Sequence, residues 1–218
     1  DRLPDPRILD AARRSGPAGA DFLLLAGEFA MLPKRGLRET VLRGLRQESV
    51  RPQALKAISE LRLRDLGPEL RRGRIPVAEA APVLARIGDP ESVRWLLRLL
   101  AREPDAALEA LRIAPPDVVA KEAVSLLRER KLVEPMVRAL GTVSRREFGP
   151  FLLKASASGN VRLLALEALV RLGYREAVPE LARYLPDDPL AEKTLKDLTG
   201  QDFGRDRQAW DRWWRKNS

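Results

Sequence analysis

Arg162-Leu-Leu-Ala-Leu-Glu-Ala-Leu-Val-Arg-Leu-Gly-Tyr-Arg-Glu-Ala-Val-Pro-Glu-Leu-Ala-Arg-Tyr-Leu185 decides the fold of this 218-residue chain. Leu166, Leu169 and Leu172 stand at helical spacing with Ala165 and Ala168 beside them, so a first helix carries one apolar face. Gly173 ends it, and Ala177, Val178, Leu181, Ala182 and Leu185 form the apolar face of a second helix. A pair this small cannot bury both faces alone, so it needs further pairs on either side.

The rest of the chain supplies them. With Leu172 as anchor, the matching positions are Leu32, Leu61, Ile87, Ala114 and Val143, spaced 26 to 29 residues apart. Three residues before each anchor stand Phe29, Ile58, Leu84, Leu111, Leu140 and Leu169. Six before stand Ala26, Leu55, Ala81, Leu108, Val137 and Leu166, and nine after stand Val41, Leu70, Leu96, Ala123, Leu152 and Leu181. Four before, Ala57, Ala110, Ala139 and Ala168 keep the side chain short, which lets stacked helices approach closely; Glu28 and Val83 depart from that column. Gly88 and Gly173 follow their anchors, where a helix C-terminus takes up the left-handed conformation. Pro68, Pro150 and Pro179 share one position near the start of the second helix, where a missing N–H costs little. Pro115-Pro116 shifts the register, so the fourth pair is expected to be irregular.

The helix ending in Ala-Leu-x-x-Leu-Gly, the turn, and the Val-Pro-x-Leu helix resemble bacterial short HEAT repeats, including the HEAT-like repeats of phycobilisome lyases. Ala165 to Leu185 and Ala80 to Leu100 carry the likeness, which extends over about residues 20–185. It implies an all-α fold, a right-handed α-solenoid of six helix pairs with a concave face for a partner. A short helix from Arg7 to Arg14 within residues 1–18 is expected to cap one end. Residues 187–218 are expected to cap the other, making one domain over 1–218. The tail is similar to a terminal module that follows HEAT repeats in bacterial proteins, with Thr199, Gly200, Phe203, Trp210, Trp213 and Trp214 matching. The three Trp lie at i, i+3 and i+4, a stripe suited to covering the last apolar layer.

Composition narrows the function. Aromatic residues are only 5% of the chain, so the core is built of Leu, Ala and Val. The chain has neither His nor Cys, which removes the commonest general base, the commonest metal ligands and any disulfide. No cofactor is expected, and no Gly-rich phosphate loop or nucleophile elbow is present. The formal charge of +9 suits nucleic acid, acidic protein or anionic lipid. Asn160 and Asn217 are the only two Asn, a composition in keeping with a thermophilic source. No apolar run approaches the ~20 residues of a membrane span. A soluble bacterial domain and a monomer are expected. The first residue is Asp1 rather than Met, which leaves open a cytoplasmic protein or the exposed part of an envelope protein.

One column stands out for function. Eleven residues after the anchor come Arg43, Arg72, Arg98, Ser125, Lys154 and Arg183, five cations in six copies. On a second helix facing the concave side they form a basic stripe for an anion. Alternatively they are solvated cations that favour the helix C-terminus. Three residues earlier come Thr40, Glu69, Trp95, Glu122, Phe151 and Glu180, read as the outer shoulder of that helix. Trp95, flanked by Arg94 and Arg98, and Phe151 are candidate contacts for a base or a partner's side chain. The Glu residues interrupt a phosphate track and favour a protein partner, while the net charge favours nucleic acid. HEAT-like alkylpurine DNA glycosylases show the fold can act on DNA with Trp, Asp and Arg. Here, however, Asp89, Asp117, Asp187 and Asp188 fall in turns, and no Asp pairs with a Trp on the expected concave face.

Overall fold

The computed structural model describes residues 34–218. The N-terminal helix, Ala26, Phe29 and Leu32 lie outside them. The described residues form thirteen α-helices and no strand. The chain divides into two compact units, Asp1–Leu96 with Ile113–Pro115, and Leu97–Arg112 with Pro116–Ser218.

The first unit holds α1 (Lys34–Arg46), α2 (Arg51–Glu60), α3 (Gly67–Arg71), α4 (Val77–Ile87) and the beginning of α5 (Pro90–Leu99), within which the division falls. Helix α2 packs on both α1 and α4, and α3 packs on α4. The second unit takes α6 (Pro104–Ile113) to Arg112, then α7 (Pro116–Ser125), α8 (Arg130–Val143) and α9 (Gly149–Ala155). It continues through α10 (Arg162–Leu172), α11 (Val178–Leu181), α12 (Pro189–Thr199) and α13 (Arg207–Asn217). There α8, α10 and α12 pack side by side, α7 packs on α9, and α9 packs on α8 and α10. Within the first unit α2 and α4 meet, and within the second α8, α10 and α12 meet, each of these first helices lying against a second helix.

The repeat columns account for this packing. Ile58, Leu84, Leu111, Leu140 and Leu169, three before the anchor, are all fully buried. Val41, Leu70, Leu96, Ala123, Leu152 and Leu181, nine after it, are buried as well. Burying a Leu contributes about 1.5–3 kcal/mol, so these two columns hold each unit together. The small column works as close contact: a Cβ on Gly141 of α8 would stand 2.9 Å from the Ala168 Cβ of α10. Gly88 ends α4 at φ 63°, and a Cβ there would also lie 2.6 Å from the Pro115 ring. Both the left-handed turn and the close approach exclude a larger residue.

The second helices are shorter than periodicity suggests. Three of them start from the same pattern, Arg64-Asp-Leu-Gly-Pro68, Arg146-Glu-Phe-Gly-Pro150 and Arg175-Glu-Ala-Val-Pro179. In each, a 3-10 turn leads directly into an α-helix with Pro in its first turn. Pro fits there because the first N–H groups of a helix have no intrahelical partner. The acidic residue of the pattern reaches back along the chain: Asp65 accepts from Arg38 at 3.2 Å, and Glu176 from Arg146.

Gly149 in the second of these patterns lies beneath the ring of Tyr174, and any Cβ there would collide with it. Gly149→Ala is expected to destabilise the protein by about 1–3 kcal/mol, the range for overpacking. Adding Tyr174→Ala is expected to recover part of the loss. Urea unfolding of both single variants and the pair checks this, and strictly additive losses would count against it.

At the C-terminal end Trp210 is fully buried, and α13 packs on α11. Its indole Nε1 donates to the Gly204 carbonyl at 3.0 Å, and its ring meets Phe203 edge-on at 4.9 Å. Asp206 caps α13 by accepting from the Ala209 amide at 3.0 Å. The expected stripe of three is only partly sunk, with Trp213 and Trp214 half-buried.

Candidate binding surfaces

The cations of the stripe are exposed, but most are already engaged. In the first unit, Arg72 donates to both carboxylate oxygens of Glu69 at 2.7 and 2.8 Å, and Arg94 pairs with Glu91 at 2.7 Å. In the second, Arg98 pairs with Glu129 at 2.7 Å and Arg183 with Glu180 at 2.9 Å. The Arg98 guanidinium, by hydrogen bonding, holds the Glu129 carboxyl below its ordinary range. Ser125, the exception in the column, donates to the Glu122 carbonyl at 2.7 Å. Arg43 and Lys154 are exposed, with no carboxylate at ion-pair distance among the described residues. The Glu residues that interrupt the stripe in sequence are therefore its partners, one helical turn away. Exposed pairs of this kind contribute only about 0–1 kcal/mol, so an incoming group can replace them.

The neighbouring column does not form an outer shoulder. Phe151 is fully buried and Glu122 is 3% exposed, while Glu69, Trp95 and Glu180 are half-buried. These positions immediately precede the core column nine after the anchor, and the packing of α9 on α7, α8 and α10 closes over Phe151. Phe151 is a core residue here, not a surface contact. Trp95 packs against the apolar core of the first unit.

Two of the turn Asp residues have structural partners, and Asp117 stands instead in the first turn of α7. Asp89 accepts from the Ser92 amide at 3.0 Å, and Asp188 caps α12 through the Leu190 amide while pairing with Arg162. Among the described residues no group of three acidic, His or Cys side chains could hold a metal ion. No described helix is long and apolar enough to cross a membrane.

A separate concavity lies between first helices of the second unit. A trough of about 510 Å³ runs between α6 and α8. Its floor is apolar, with Leu100, Leu108 and Ala139, and Pro104 and Pro135 stand on its sides. Leu108 belongs to the column six before the anchor, whose members Leu55, Ala81, Val137 and Leu166 are buried, yet Leu108 is half-exposed. Nothing in the pattern distinguishes it from them. A smaller groove of about 240 Å³ lies between α10 and α12, edged by the exposed Leu163.

No family model, curated protein or solved structure matches this chain.

Proposed function

We propose that the chain is a non-catalytic helical-repeat scaffold, an α-solenoid of HEAT-like pairs that receives a protein partner on the concave surface of its second helices. The stacking of first helice on first helix within each unit supports the solenoid reading. The observation that carries the partner class is the pairing of Arg72 with Glu69 and of Arg183 with Glu180. A surface of alternating cation and carboxylate matches the mixed charges of a protein better than a uniformly anionic phosphodiester. Its exposed pairs are cheap to exchange for pairs with a partner.

Exposed Arg98 and Lys154 serve as the test. Photo-crosslinking from position 183 in the source cell is expected to capture a discrete protein. Arg98→Glu with Lys154→Glu is expected to weaken that capture about tenfold while leaving the melting temperature within a few degrees, as charge changes at exposed sites do. Capture that is unaffected by the double change would remove this face as the interface. A large loss of melting temperature would show instead that these cations hold neighbouring helices together.

The second reading, a nucleic-acid-binding solenoid, draws on Arg43, Lys154 and the net charge of +9.

A further inference from the structure

The trough between α6 and α8 is independent of the second-helix surface, and its shape and charge indicate an occupant. Along α8 it extends from Arg130 to Thr142, about 18 Å of helix at 1.5 Å per residue. That is the span of roughly five residues of extended chain at ~3.3 Å each. A volume of about 510 Å³ spread over such a length makes a trough narrow enough for one chain.

Its polar groups divide into spent and unspent. Arg138 donates to Glu134 at 2.8 Å and Thr142 donates to the Arg138 carbonyl at 2.8 Å, so these three are satisfied within α8. Arg130 and Lys131, in the first turn of α8, are exposed and have no ion-pair partner among the described residues. Asp105 on α6 is the one lining carboxylate outside the Glu134 pair, so two unspent cations face one unspent anion. Between them lies an apolar floor in which Leu100 and Ala139 are buried and Leu108 is half-exposed.

We infer that this trough binds a short extended segment of a partner protein, one that places a carboxylate side chain against Arg130 and Lys131 and an aliphatic or aromatic side chain over Leu108. The apolar contact supplies affinity, and the charge fixes which way the segment runs. A basic segment would meet two cations of its own sign and be rejected.

The chain contains no Cys, so Asn160→Cys at the trough edge accepts a single environment-sensitive fluorophore. Random short peptides displayed on phage are selected on the full chain, and the enriched ones are synthesised and titrated against the labelled protein. Enriched peptides are expected to combine Asp or Glu with Leu, Ile or Phe and to shift the Asn160-linked emission. Arg130→Glu with Lys131→Glu is expected to weaken them about tenfold or more, and Thr142→Trp, which fills the exposed far end, to do the same by obstruction. Lys154→Glu, on the second-helix surface, is expected to leave their affinity unchanged, so this test stands or falls apart from the scaffold reading. An empty selection, enrichment of basic or uncharged peptides, or affinity that survives both trough variants would overturn the inference.

Discussion

Trp210→Ala is expected to lower stability by about 3–5 kcal/mol, the cost of truncating a core Trp. The indole is fully buried, fills the space against Phe203, and donates its one N–H to the Gly204 carbonyl. Truncation therefore leaves a cavity and also an acceptor without its donor. Trp213→Ala is expected to cost clearly less, because Trp213 is half-buried and touches Trp210 edge-on at 6.3 Å. Chemical denaturation of the two variants side by side measures the difference. Equal small losses would mean that α13 does not close the end of the second unit and is free to act as a binding arm.

Phe151→Ala is expected to cost a similar ~3–5 kcal/mol and to affect binding only through unfolding. Its ring is fully buried in α9, where that helix meets α7, α8 and α10. Phe151→Leu keeps most of the apolar volume and is expected to retain most of the stability. The decisive comparison is between the unfolding midpoint and partner capture at a temperature where each variant is folded. A Phe151→Ala protein that keeps its stability but loses capture would return this residue to the surface.

The contrast between these residues shows what a single sequence encodes. Helix identity and the core columns were legible because burial repeats: Leu84, Leu111, Leu140 and Leu169 occupy one geometry over and over. The left-handed ends at Gly88 and Gly173 were legible from residue type alone, and both glycines have positive φ. The 3-10 entries of the second helices were not, since Arg-Asp-Leu and Arg-Glu-Phe carry no periodicity that separates a tight turn from an α turn. Phe151 was misplaced because its column reads Glu69, Glu122 and Glu180, and polarity suggested solvent. That column in fact lines the contact between helices, where Glu122 is buried beside Ser125.

The surfaces were harder still. The basic stripe was visible as a column, but whether its charge is available depends on rotamers that bring Glu69 to Arg72 and Glu129 to Arg98. The second of these joins residues 31 apart in sequence. The trough could not be read at all, because it arises from the separation of α6 and α8 and not from any residue that differs in kind from its column.

The measurement that tests the central claim most directly is fluorescence anisotropy of labelled single- and double-stranded DNA and RNA with this protein across a salt series. A mixed-charge protein-binding scaffold predicts weak association that disappears with modest salt and barely changes on reversing Arg72, Arg98 and Lys154. Micromolar or tighter binding at physiological salt, abolished by those three reversals, would contradict it and make the stripe a phosphate track.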